Sequence, residues 1–146
     1  KAEREAAQKA AKKTAKASAS SNASNSSYSA PSGSGGSAVA SYASQFIGNP
    51  YVFGGSSLTN GTDCSGFVMS VYAAFGVSLP HSSSALRSCG YEVGTGDMQP
   101  GDIVCYSGHV AIYAGGGTIV HASTPESGIK YSNVDYKTIL SVRRIF

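Results

Sequence analysis

Val39, Tyr42, Ala43, Phe46 and Ile47 recur at i, i+3, i+4, i+7 and i+8, the spacing that gathers apolar side chains into one stripe of an α-helix. Gly48 and Pro50 follow and predict its end, glycine as a C-terminal cap and proline as a breaker. A short extended piece, Tyr51-Val52-Phe53, runs into Gly54-Gly55 and a loop rich in Ser, Thr, Asn and Gly. Phe67, Val68, Val71, Tyr72 and Phe75 then form a second helical stripe, predicting a helix from about Cys64 to Phe75 that stops at Gly76. A short helix is expected near Ser82–Ser88. After the turn Gln99-Pro100-Gly101-Asp102 the period changes to two. Ile103–Tyr106, His109–Ala114, Thr118–Ala122 and Leu140–Phe146 read as strands, with a weaker strand over Ile129–Val134. Helices first and antiparallel strands afterwards give an α+β domain.

Composition divides the chain before this pattern begins. Residues 1–36 hold one side chain larger than Ala that could enter a core, Tyr28. Such a segment cannot offset the entropy of ordering itself, so the folding unit is expected at 37–146. Residues 1–17 are rich in the helix formers Ala, Lys, Glu and Gln, and residues 18–37 form a Ser/Gly/Asn linker. The two together predict a tether: a helical remnant, read as the end of a longer coiled stalk, then flexible chain that holds something upstream at a distance from the domain. The chain starts at Lys1 and is read as a trimmed or mature fragment.

Charge follows the same division. Residues 1–16 carry Lys1, Arg4, Lys9, Lys12, Lys13 and Lys16 against Glu3 and Glu5, a balance of +4, which leaves −1 for the remainder of a net +3. The folding unit therefore lacks the basic surface that nucleic-acid binding requires. No run of about 20 apolar residues predicts a membrane span. Three cysteines without a C-x-x-C pair argue against a structural zinc site or a dense disulfide framework, and no cofactor or metal is expected. Cys105 reads as a small buried hydrophobe on its strand, and a Cys89–Cys105 disulfide is a further possibility that spacing alone does not decide.

Candidate chemistry gathers at three places. Asp63-Cys64-Ser65-Gly66-Phe67 opens the second helix. Asp63 or Thr62 can cap its free N–H groups, and a thiol at a helix N-terminus feels the positive end of the dipole, which favours thiolate. Gly66 permits close approach of backbone or substrate. The other two places are His109 and His121. If Gly115-Gly116-Gly117 forms a three-residue hairpin loop, Ala114 pairs with Thr118 and Ala111 with His121, so both imidazoles lie on one sheet face. An even loop would separate them. Granted an odd one, Cys64 is the nucleophile, His109 the base and His121 the group that orients it. The Cys64 backbone N–H is then a natural oxyanion donor.

These residues resemble a known family, the NlpC-type bacterial cell-wall peptidases of the papain-like superfamily. The resemblance rests on ordered segments: Asn49-Pro50-Tyr51-Val52-Phe53-Gly54-Gly55, Asp63-Cys64-Ser65-Gly66-Phe67-Val68, Leu79-Pro80, Pro100-Gly101-Asp102-Ile103-Val104, Gly108-His109-Val110-Ala111-Ile112-Tyr113 and Ile119-Val120-His121-Ala122. It implies a papain-like α+β fold in which N-terminal helices carry the nucleophile and pack on an antiparallel sheet. It also implies a secreted or wall-associated enzyme that hydrolyses the D-γ-glutamyl–diamino acid bond of peptidoglycan stem peptides, with a coiled-coil or wall-binding region upstream of the tether. Cys64, His109 and His121 would be its catalytic three. Tyr51 would support the oxyanion or line the site, and Asp63 and Ser65 would flank the nucleophile and touch substrate. After Leu-Pro the family often carries Arg; here His81-Ser82 follows, and Arg87 is a candidate to replace that charge. An N-acetylmuramoyl-L-alanine amidase or another thiol hydrolase or acyltransferase would use the same residues, and a non-catalytic wall-binding module would share the fold.

Overall fold

The computed structural model describes residues 35–146. The helix expected over 1–17, and the linker up to residue 34, lie outside the described residues. The first helix, α1 (Gly36–Ser44), starts one residue ahead of the compositional boundary at 37. Gly36 is placed there by close approach, because a Cβ on it would run into the Pro100 carbonyl. Val39, Ala40 and Ala43 face inward. Tyr42 sets its ring edge-on to Phe46 and Phe75. Ile47, expected on the buried stripe, is 36% exposed instead. The helix ends at Ser44, and beyond it a chain of turns no longer keeps the helical period. Gly48 then takes a positive φ of 100°, and its N–H donates to the Ile129 carbonyl.

A small ribbon follows, β1 (Ser56–Ser57) with β2 (Gly61–Thr62), inside the stretch read from sequence as plain loop. Next comes α2 (Cys64–Ala73), capped by Asp63, whose side chain accepts the Gly66 N–H. Phe67, Val68 and Val71 have no exposed surface, and each such side chain contributes about 1.5–3 kcal/mol on burial. The Tyr72 hydroxyl donates to the Gly101 carbonyl and ties the helix to the turn before the sheet. A one-turn helix, α3 (Ser83–Leu86), lies where a short helix is expected and is capped by Ser82, whose side chain accepts the Ala85 N–H.

The sheet comprises β3 (Tyr91–Glu92), β4 (Ile103–Tyr106), β5 (His109–Gly115), β6 (Thr118–Ala122), β7 (Ile129–Asn133) and β8 (Ser141–Arg144). All pairings are antiparallel, in the order β3-β8-β4-β5-β6-β7. The main core lies between its helix-facing side and α1 and α2, built from residues such as Val39, Phe67, Val71, Ile103, Val110, Ile112 and Val120. A second, smaller core covers the opposite face with Val104, Tyr106, Ala111, Ile119 and Val134. Because both faces are covered, β4 is buried at every residue and reads as an unbroken apolar run rather than an alternation. The bidentate contact of Arg144 with the buried Asp102, at 2.9 and 2.8 Å, fastens β8 to the start of β4.

The hairpin between β5 and β6 reaches the expected register by a different route. Its turn is the two-residue Gly116-Gly117, with Gly115 opposite Thr118. A bulge between Tyr113 and Gly115 adds the missing residue. Beyond the bulge Tyr113 pairs with Ile119 and Ile112 with Val120, which sets Ala111 opposite His121 as the three-residue loop would have done. An even turn plus one bulged residue restores the odd count.

Candidate active site

Cys64 begins α2 because Asp63, in extended conformation, caps the helix one residue earlier. Cys64 is 9% exposed, and the backbone N–H groups of Val110, Ser65 and Cys64 itself favour its thiolate. Val110 follows His109 at the start of β5, and Tyr136, which feels the Cys64 charge, has its ring centroid 6.3 Å from that of His109. Burial pushes the thiol pKa up, and the Asp63 charge adds to the rise; the three N–H groups oppose it without prevailing. The expectation of a thiol lowered by the helix terminus is thereby corrected. Removing the sulfur from water costs the thiolate more than the helix start returns.

His109 is 7% exposed and His121 fully buried. Both lie on the sheet face of the second core, opposite the face that α2 covers. His109 Nε2 stands 2.7 Å from His121 Nδ1, with the rings steeply inclined at 78° and their centroids 5.0 Å apart. The other nitrogen of His121, Nε2, lies 2.8 Å from Ser132 Oγ on β7. Burial lowers the His109 pKa to about 4, helped by the Lys137 charge. Burial likewise lowers His121 to about 3, with His109, Lys130 and Lys137 adding to it. At neutral pH the resting site therefore holds a thiol and two uncharged imidazoles.

The flanking residues differ in what holds them. Tyr51 forms a parallel bridge with Thr62, and its phenol pKa is raised by burial and then by the charges of Cys64 and Asp63, which sets it on the nucleophile's side. Asp63 Oδ1 accepts the Gly66 N–H at 2.8 Å and also lies 2.8 Å from His81 Nε2. Its Oδ2 accepts the Gly54 N–H at 3.0 Å. Ser65 is buried in the first turn of α2. Gly66 has no room for a side chain: a Cβ there would meet the Gly55 carbonyl, Thr62 Oγ1 and Asp63 Oδ1. His81, which stands where the related pattern has Arg, is thus the group that reaches Asp63. Arg87 caps α3, and its charge is felt by Cys105.

Two neighbours escaped the sequence reading. Ser132 became legible only with the β6–β7 register, which pairs Ile119 with Ser132 and His121 with Lys130 and so sets Ser132 diagonally beside His121. Tyr136 lies in an irregular segment that carries no periodic signal. Its ring stands over the imidazoles, with centroids 5.4 Å from His121 and 6.3 Å from His109, and packs edge-on to Tyr106 at 5.4 Å. Cys64, Cys89 and Cys105 are free thiols. Among the described residues no cluster of three or more His, Cys, Asp or Glu is arranged to hold a metal, and no helix is long and apolar enough to cross a membrane.

Several known proteins resemble this chain in sequence or in fold. A protein of Mycobacterium tuberculosis named "Probable endopeptidase" is 43% identical over 99 residues, covering 64% of this chain and 26% of the relative. One of Corynebacterium glutamicum with the same description is 39% identical over 118 residues, 79% of this chain and 56% of the relative. A Bacillus subtilis protein named "Gamma-DL-glutamyl hydrolase" is 40% identical over 107 residues, 67% of this chain and 26% of the relative. This chain thus spans about a quarter to just over half the length of these relatives. Among solved structures, the NlpC/p60 domain of the peptidoglycan hydrolase SagA superposes with a TM-score of 0.69 at 31% identity, covering 75% of this chain and 98% of that one. Residues 48–143 match the NlpC/P60 family, well over half of the sequence, and the helices packed on an antiparallel sheet are its papain-like fold: the chain belongs to the NlpC/P60 family.

Proposed function

We propose that the domain is a cysteine endopeptidase of the bacterial cell wall that cleaves the bond between D-γ-glutamate and the diamino acid of peptidoglycan stem peptides. The observation that carries this reading is the 2.7 Å contact of His109 with His121, beside a helix-start cysteine whose thiol feels the Val110 N–H of the strand that begins at His109. The "Gamma-DL-glutamyl hydrolase" among its relatives supports the choice of bond.

In this reading Cys64 Sγ attacks the γ-carbonyl of D-glutamate. His121 engages His109 Nε2, so Nδ1 is the nitrogen that takes the thiol proton as the carbon–sulfur bond forms. With the thiol raised and the imidazole lowered, proton transfer accompanies attack rather than preceding it. The Cys64 backbone N–H, with Tyr51 on the same side, stabilises the oxyanion. Collapse of the tetrahedral intermediate breaks the C–N bond, and His109 returns the proton to the departing amine. Water, activated by His109, then hydrolyses the thioester and releases the glutamyl γ-carboxylate. Asp63 and Ser65 border the nucleophile where substrate enters, and the enzyme works outside the cytoplasmic membrane.

Defined soluble muropeptides incubated with the protein and with Cys64→Ala test this directly. A product beginning at the diamino acid, formed by the wild type and not by the variant, is the expected result. Cleavage at the muramoyl–L-alanine bond would make the enzyme an amidase. Intact muropeptides together with a Cys64 inert to iodoacetamide would make the domain a binding module.

A further inference from the structure

We propose that Ser132 is a positioning residue whose hydroxyl oxygen accepts the Nε2–H of His121 and thereby holds His109 in the tautomer able to take a proton from Cys64. This rests on the roles proposed above for Cys64, His109 and His121.

The reasoning follows the protons along the chain of rings. A neutral imidazole donates through one nitrogen and accepts through the other. His109 can act as base at Nδ1 only if its own proton is on Nε2. That N–H then points at His121 Nδ1, 2.7 Å away, which must accept. His121 therefore carries its proton on Nε2, 2.8 Å from Ser132 Oγ. The opposite sense, with His121 donating from Nδ1, would leave the His109 proton on Nδ1 and block the base. When His109 becomes imidazolium, both of its nitrogens donate, and only the first sense remains possible.

His121 has no exposed surface, so an unpaired Nε2–H there would cost the full desolvation of a buried donor. Ser132 removes that cost. It is half-buried on β7, the outer strand of the sheet, so its own hydroxyl proton can turn to solvent while its oxygen accepts. The remaining groups about the imidazoles cannot substitute. Lys130 and Lys137 are cations that disfavour charge on His121. Tyr136 presents its ring face or edge to both histidines, and Tyr106 packs its ring near His109 while its hydroxyl donates to the Val134 carbonyl.

Nitrogen-15 spectra of the imidazoles in the wild-type protein at neutral pH read this arrangement without any substrate. A proton on Nε2 of both His109 and His121 is expected; a proton on His121 Nδ1 overturns the proposal. Ser132→Ala is expected to lower kcat by about tenfold with KM unchanged, less than the ~10²–10⁴ a general base supplies, and to populate the reversed tautomers. Ser132→Thr, which keeps the hydroxyl, is expected to restore both. Unchanged kcat and unchanged tautomers in Ser132→Ala overturn the role, and if that variant does not fold the wild-type spectrum still decides. Hydrolysis that persists in Cys64→Ala would sink the assignment of Cys64 as nucleophile instead, leaving the imidazole spectra to be read separately.

Discussion

His81 Nε2 stands 2.8 Å from Asp63 Oδ1, so the residue that caps the nucleophile's helix is also held by the segment that follows that helix. The carboxylate joins three pieces of chain: Gly54 before it, Gly66 in the first turn of α2, and His81 after it. His81→Ala is expected to loosen this junction and lower kcat/KM severalfold. Its effect on stability should be small, under about 1 kcal/mol, because the pair is partly exposed to water. His81→Arg, which restores a donor of greater reach, should recover most of the activity. Steady-state kinetics and urea titrations of the two variants check both statements. Equal loss in both would mean that the imidazole is needed for a reason other than its contact with Asp63.

Asp63 has opposed effects on the nucleophile. Its charge raises the Cys64 pKa, while its cap holds the turn that carries the thiol. Asp63→Asn removes the charge and keeps the shape. Iodoacetamide should then alkylate Cys64 faster at a fixed neutral pH, even as muropeptide hydrolysis declines. Asp63→Ala should in addition lose about 1 kcal/mol of stability with the cap. Slower alkylation in Asp63→Asn would contradict the assigned electrostatics.

The two buried histidines make stability depend on pH in a known direction. Their folded pKa values, about 4 for His109 and about 3 for His121, lie below the ordinary 6.5. In the acid range the unfolded chain therefore binds more protons than the folded one, and stability rises with pH there. The contribution is fully present above 6.5 and is lost as pH falls through 6.5 towards 4 and 3. Denaturant midpoints measured across that range should decline with acid, and a His121→Gln variant should decline less steeply. Matching slopes would show that His121 is not held neutral by the fold.

Tyr136 shields the imidazoles that burial keeps uncharged. Tyr136→Ala should admit water and raise the His109 pKa, moving the acid limb of kcat/KM to higher pH. Tyr136→Phe, which keeps the ring, should leave the limb in place. A limb that moves equally in both would assign the effect to the hydroxyl.

Much of this architecture could be read from sequence because it rests on local periodicity. The stripe of α2, the cap at Asp63, the strands around His109 and His121 and the short helix after Pro80 each follow from residues near one another in the chain. What could not be read depends on contacts between distant segments. Ile47 fits the helical period, yet the helix ends before it. His81 shows as a departure from a familiar pattern, and its contact with Asp63 appears only when the chain folds back on itself. Ser132 needed the partner register of β7, and Tyr136 lies in a stretch with no period to read. The thiol's electrostatics failed for a similar reason: the helix terminus is visible in the sequence, whereas the depth of burial that outweighs it is a property of the packed domain.

The bulged hairpin also sets which changes of length the site can survive. Deleting one glycine from Gly116-Gly117 while the bulge stays, or pairing Ala114 into the ladder while the turn stays, would shift β6 by one position against β5 and send His121 to the helix side. Adding or removing residues in pairs would leave both imidazoles together. Among variants of this domain the β5–β6 connection should therefore tolerate insertions by twos, and a single-residue indel should be accompanied by the gain or loss of a bulge.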